Sequence, residues 1–255
     1  MITLDQIKEL SKRYNTNESV IAREYVQLTF LKELYTSSLS KGIYFKGGTA
    51  LRLIYGGKRF SEDLDFTVSI DEAGFIEGIN KIFESLSASY PYQIKEKKTL
   101  TGKTYLLTAN INGFSSPLYV RLDFSMRESV IEPIESILKT EYPIIIQSFI
   151  STLSKNEILA EKIRAIMTRN KHRDFYDIWL LLEIGAKLDV DLINKKLAYY
   201  DEVFSKDKLL ESLNKFNKND FIVDLRPFVP INERAKLGDF YDYVKKYLEE
   251  SLSAI

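Results

Sequence analysis

The chain has 255 residues, 45% of them hydrophobic, with 36 basic side chains balanced by 36 acidic ones. That length buries a sizeable core in one large domain or two smaller ones, and zero net charge gives no bulk attraction to nucleic acid. The absence of cysteine excludes disulfides and thiolate metal sites, and the single histidine, His172, excludes a histidine-based metal centre or triad, so any general base must be a carboxylate.

The N-terminal stretch MITLDQIKELSKR lacks the apolar core of a signal peptide, and no run approaches about 18 apolar residues, so a soluble, cytoplasmic protein without membrane contact is expected. Residues 3–14 and 18–38 read as helices, the second with Val20, Ile21, Tyr25, Leu28, Leu31 and Leu34 at helical spacing. The segment IYFKGGTALRLIYGGKRFSEDLDFTV, residues 43–68, follows. It reads as a strand ending in Gly47-Gly48, a helix from Thr49 to Tyr55, and a strand carrying Asp63 and Asp65. Strand side chains alternate faces, so Asp63 and Asp65 project from one face while Leu64 and Phe66 point into a core. Two carboxylates this close repel unless a cation lies between them, and their hard oxygens suit Mg²⁺, which commonly takes one or two carboxylates plus phosphate oxygens. Gly47 and Gly48 let the backbone approach a ligand closely, so with Thr49 they are candidates to hold a triphosphate. Lys58, Arg59 and Ser61 add two cations and a hydroxyl at the same mouth. A bare D-x-D also fits any half-buried strand; the glycines are what favour a nucleotidyl-transfer site.

Residues 72–87 look helical, and strand-like runs fall at 91–97, 104–112, 117–125 and 143–150. In LYVRLDFSM, residues 118–126, Asp123 repeats the apolar-Asp-apolar pattern. Beside the first acidic strand it completes a two-metal site or serves as base; on an edge strand it simply pairs with Arg121 or Arg127. Helices are expected at 155–170, 173–185, 189–200, 206–217 and 233–252, the first opened by Ser154 and Glu157 as a capping box. Lys162 and Arg169 lie two turns apart on one face of it, and after a turn at Asn170 to His172, Asp174 and Asp177 share a face of the next helix. An i,i+4 pair of Arg173 with Asp177 on a solvated face is the plainer reading. Two basic patches are candidates for a phosphate backbone: residues 155–173, with six Lys or Arg against two Glu, and Lys95, Lys97, Lys98 and Lys103 around a hairpin.

Taken together, KGGTALRLIYGGKRFSEDLDF, then Lys162, Ile163, Ala165, Ile166 and Arg169, then Asp174 and Asp177, resemble the AbiEii/AbiGii nucleotidyltransferase toxins of the DNA polymerase β-like superfamily. The matching motifs span residues 43–182, with a thirteen-residue gap between Thr49 and Asp63 that is longer than the shortest family forms. The resemblance implies an α/β (α+β) fold in which a nucleotidyltransferase lobe with a mixed sheet, residues 1–150, precedes a helical lobe, residues 151–255, with the site in the cleft between them. It implies that Asp63 and Asp65 hold Mg²⁺ and that Lys162, Asp174 and Asp177 are required for activity; the residues themselves add Asp123 as a third metal ligand, with either Asp123 or the Asp174/Asp177 pair as base, and Gly47, Gly48, Thr49, Arg59, Ser61 and Arg169 as NTP-binding residues. Lys162 would neutralise charge on the transferring phosphate, with Asp174 and Asp177 orienting it or the acceptor hydroxyl. The implied acceptor is RNA, such as a tRNA 3′ end, and the implied role is a growth-arresting toxin restrained by a partner antitoxin. Two alternatives are a small-molecule acceptor and a catalytically silent member of the fold that binds RNA or protein.

Overall fold

The computed structural model describes residues 1–99, 101–169 and 171–253. Two compact units divide the chain, Met1–Leu153 and Ser154–Ile255. In the first unit the elements run α1 (Leu4–Tyr14), α2 (Glu18–Thr36), β1 (Ile43–Lys46), α3 (Gly47–Leu53), β2 (Leu64–Val68), α4 (Glu72–Ser89), β3 (Tyr92–Lys97), β4 (Lys103–Ala109), β5 (Leu118–Ser125), β6 (Pro133–Ser136) and β7 (Ile150–Leu153). The strands form one sheet in the order β3-β4-β5-β2-β1-β7-β6. It is mixed, as the family resemblance implies: β2 runs parallel to β5 and β1 parallel to β7, while the other pairs are antiparallel.

One face of this sheet carries the core. Phe66 stacks on Phe124 with centroids 4.9 Å apart, Phe30 of α2 and Phe75 of α4 close over Phe124, and Phe83 meets Tyr105 edge-on at 4.8 Å. Phe66, Tyr105 and Phe124 are buried because they take the inward-facing alternate positions of β2, β4 and β5. Their neighbours, Asp65 and Asp123, therefore face the other way, which is how the alternation of apolar and acidic residues becomes a site.

The expected strand at 143–150 does not form. Pro143 cannot donate to a ladder, and although Ile146 turns inward, Ile145 and Phe149 stand in solvent. The strand that pairs with β1 is the later Ile150–Leu153, which places the end of the first unit at Leu153. β6, with its leading proline at the sheet edge, has too short a pattern to read from sequence.

The second unit is helical: α5 (Lys155–Thr168), α6 (His172–Glu183), α7 (Val190–Leu197), α8 (Lys206–Asn214), α9 (Lys218–Leu225) and α10 (Leu237–Ser253). Ser154, Asp189, Ser205 and Asn217 each accept a backbone N–H in the first turn of the helix they precede, at α5, α7, α8 and α9. Its core gathers around Phe175, which packs on Phe216, Phe221 and Tyr241 at 5.3 to 5.8 Å. α10 divides its aromatics between roles: Tyr241 is buried and donates to the Phe216 carbonyl, whereas Tyr243 is exposed. A buried ammonium, Lys196, ties α7 to α5 through Glu157 at 2.5 Å and Glu161 at 3.3 Å. Among the described residues no helix is long and apolar enough to cross a membrane.

Candidate active site

In the first unit, eight of the expected site residues converge at the end of β1 and along β2 and β5. Gly47 opens α3 with φ +78°, a conformation that L side chains rarely adopt. A Cβ placed there would lie 2.1 Å from Asp65 Oδ2, and one on Gly48 would lie 2.5 Å from Arg59 Nη2 and 3.0 Å from Ser61 Oγ. The two glycines thus let the backbone press directly onto Asp65, Arg59 and Ser61. Thr49 donates its hydroxyl to the Asp63 carbonyl and so fixes the residue that enters β2. Arg59 is buried and donates to the Phe60 carbonyl, while Lys58 is exposed.

β2 begins at Leu64, so Asp63 sits immediately before the strand and Asp65 within it. In the parallel pairing, Asp65 stands directly opposite Asp123. The β5 strand is interior to the sheet, between β4 and β2, and not an edge. Asp123 nonetheless pairs with Arg121 as the edge-strand alternative supposes, at 2.7 Å, and the same guanidinium reaches Asp63 at 2.9 Å. Burial works against the charge on Arg121, but Asp63, Asp123 and Asp65 outweigh it and push its pKa up. The Arg121 guanidinium therefore lies within the field of all three carboxylates. Asp123 Oδ1 also accepts a 2.6 Å hydrogen bond from Thr104. Deeper in, Lys46 at the end of β1 pairs with Glu128 at 2.9 Å, both buried.

Among the described residues no three acidic or histidine side chains enclose a volume suited to an ion by themselves. The donor set nevertheless fits a hard divalent cation: its oxygens are carboxylates, Asp63 and Asp123 already share a cation, and phosphate oxygens normally complete such a site. Arg121 escaped the sequence reading as a site residue. Its position two residues before Asp123, on the same strand face, is the signal that was there to find.

Gly47→Ala is expected to destabilise the first unit by about 1–2 kcal/mol from the left-handed backbone alone, and to displace the Asp65 carboxylate as well. Urea unfolding checks the first effect and nucleotide transfer the second.

The second set assembles within the helical unit. Lys162 Nζ bonds Asp174 Oδ1 and Asp177 Oδ2, each at 2.7 Å, and Arg169 holds the other Asp174 oxygen at 2.9 Å. The α5 helix ends at Thr168, so Arg169 reaches Asp174 from extended backbone beyond the helix, and Asn170 of the expected turn lies outside the described residues. Burial alone would raise the Asp174 carboxyl; Lys162 and Arg169 more than reverse this and hold it well below the usual carboxylate range. Arg173 does not pair with Asp177: it turns instead to Asp224 at 3.6 Å and lies over Phe228.

The sequence matches the family described as "Nucleotidyl transferase AbiEii toxin, Type IV TA system" over residues 29–242. Among solved structures, the chain is similar to MenT4, a nucleotidyltransferase toxin from Mycobacterium tuberculosis H37Rv, with 16% identity, TM-score 0.64, and coverage of 96% of this chain and 90% of that one. It is also similar to JHP933 from Helicobacter pylori, with 21% identity, TM-score 0.54, and coverage of 94% and 97%. At these identities the likeness is one of fold. No curated protein matches the sequence. With more than half its length matched, and glycine turn and acidic strands assembled as above, the chain belongs to the AbiEii family of nucleotidyltransferase toxins.

Proposed function

We propose that the protein transfers a nucleoside monophosphate from an NTP to the 3′ end of an RNA, with tRNA as the acceptor class and a divalent cation, Mg²⁺, held by Asp63, Asp65 and Asp123. The observation that supports this most is the register of β2 on β5, which sets Asp65 against Asp123, beside the two glycines that press on Asp65, Arg59 and Ser61. Gly47, Gly48, Thr49, Arg59 and Ser61 would hold the triphosphate, since backbone close approach, a guanidinium and a hydroxyl suit phosphate oxygens. When bound, the cation neutralises charge on the triphosphate.

The acceptor hydroxyl attacks the α-phosphorus, the bond to the β-phosphate oxygen breaks, and pyrophosphate departs. With one histidine in the chain, a carboxylate takes the hydroxyl proton. Arg121 holds Asp63 and Asp123 in this structure; were those carboxylates to hold a cation instead, its guanidinium would be available to a phosphate oxygen. In the helical unit, Asp174 and Asp177 fix the ammonium of Lys162 for charge neutralisation, and Arg169 steadies Asp174. Family membership implies a cognate antitoxin, and the setting would be the cytoplasm.

A guanidinium and a metal compete for the same oxygens, so Arg121→Gln should tighten Mn²⁺ binding in the absence of nucleotide. Titration followed by electron paramagnetic resonance reads this directly, and unchanged or weaker binding would sink the shared-site assignment. The acceptor class is tested by incubating the protein and Mg²⁺ with each of the four α-labelled NTPs and total tRNA. Label on RNA is expected with at least one nucleotide. Nucleotide binding without RNA labelling would instead favour a small-molecule acceptor.

A further inference from the structure

The sheet face that bears the carboxylates continues past them across β5, β4 and β3, and the register identifies what lies along it. Asp123 stands opposite Thr104, and Thr104 opposite Lys97. One row along, Arg121 stands opposite Leu106, and Leu106 opposite Lys95. The next row holds Tyr119, Thr108 and Gln93. Directly opposed residues on neighbouring strands share a face, so all of these belong to the same side as Asp65. Three strand steps separate Asp65 from Lys97, roughly 14 Å at ~4.8 Å each.

Side chains along this track are available. Lys95, Lys97 and Gln93 are exposed, and Tyr119 is 50% exposed. Among the described residues neither Lys95 nor Lys97 makes an ion pair, whereas Lys103, from the same basic cluster in sequence, points to the opposite face and is taken by Glu72 at 2.9 Å and Glu96 at 3.7 Å. Five of the six cations of the other basic segment have partners within the helical unit: Lys162 and Arg169 bind Asp174, Lys155 donates to the Ile184 carbonyl, Arg164 lies over Tyr200 and Arg173 faces Asp224. Of the two basic patches in the sequence, the hairpin one keeps free cations on the face with the carboxylates.

We infer that the open face of β3, β4 and β5 is the track for a single-stranded nucleic-acid acceptor, whose phosphates lie against Lys95 and Lys97, whose base stacks on Tyr119, and whose terminal hydroxyl meets Asp123 and Asp65. This inference rests on the RNA-acceptor reading above and adds the surface that holds the strand. Cations beside an exposed aromatic, continuous with a phosphoryl-transfer site, are what a strand of phosphates and stackable bases requires. Thr108 and Gln93 add hydrogen-bonding groups between them.

The test compares wild type with Lys95→Gln/Lys97→Gln and with Tyr119→Ala, using total tRNA as the probe. Binding is measured across a salt series, label transfer is measured with varied tRNA, and nucleotide binding and circular dichroism serve as controls. The double variant should raise KM for tRNA and lower the slope of log affinity against log salt by about 1.4, two phosphates at ~0.7 each. Tyr119→Ala should weaken tRNA binding about tenfold, with nucleotide binding unchanged in both. Wild type labelling tRNA while both variants match it in affinity, slope and KM would overturn the track and leave the RNA-acceptor reading standing. Wild type labelling no RNA would overturn both.

Discussion

Asp65→Asn should lose nucleotide transfer by about 10²–10³-fold or more, the cost of removing one group that stabilises charge in a transition state. The substitution keeps size and leaves the Phe66–Phe124 stack below it in place. It removes one of three carboxylates gathered around Arg121, and that one faces both Gly47 and Asp123. The loss should fall on kcat, because a carboxylate placed to hold a cation at the transferring phosphate would act mainly on charge that develops during transfer. Asp63→Asn and Asp123→Asn should show the same pattern. Steady-state transfer checks it, with thermal unfolding as the control. A variant that transfers at the wild-type rate would remove Asp65 from the chemistry.

Lys162→Met should destabilise the helical unit by about 3–5 kcal/mol, the cost of breaking a buried pair by deleting one partner. Its side chain is 11% exposed, and those of Asp174 and Asp177 only 3% and 1%. Without the ammonium, Asp177 loses its 2.7 Å cation and Asp174 retains only Arg169, whose side chain is 45% exposed. The sign of the pH dependence follows. In wild type the folded Asp174 pKa is depressed, so its contribution is full above the unfolded value of about 3.9 and is lost as pH falls through the folded one. In the variant, buried carboxylates that have lost the lysine have pKa values raised relative to wild type and cost more as pH rises. The stability gap between the two proteins should therefore be widest near neutrality and narrow toward acid. Adding Asp177→Asn to Lys162→Met should recover part of the loss. Urea unfolding at several pH values measures all of this, and a pH-independent gap below 1 kcal/mol, well short of that range, would contradict a cluster held by charge.

Much of the first site was legible because its signals are local. A period of two puts Asp63 and Asp65 on one face of their strand, away from Leu64 and Phe66, and turns Asp123 away from Leu122 and Phe124 on its own, while Gly47-Gly48 marks a close backbone approach. The pairing of β2 with β5 was not legible, since register depends on contacts between strands nearly 60 residues apart, as the |i−j| of 58 for Arg121 and Asp63 illustrates. Separation along the chain likewise hid Arg121 as a shared cation and, across 82 residues, Lys46 with Glu128 as a buried pair. In the helical unit, helical spacing was enough to find Lys162, Asp174 and Asp177, but Arg173 found a partner on α9, an element whose short apolar pattern left no sequence signal. Apolar β-branched residues at 143–150 misled for a physical reason: such a run satisfies strand propensity, yet Pro143 and two solvent-facing side chains keep it out of the ladder.

The most direct measurement is single-turnover transfer from α-labelled NTPs to total tRNA in Mg²⁺, wild type beside Asp65→Asn at equal, nucleotide-saturating concentrations. Labelled RNA from wild type and none from the variant is the expected result. Equal labelling by both proteins would contradict the assignment of chemistry to the carboxylates of β2 and β5.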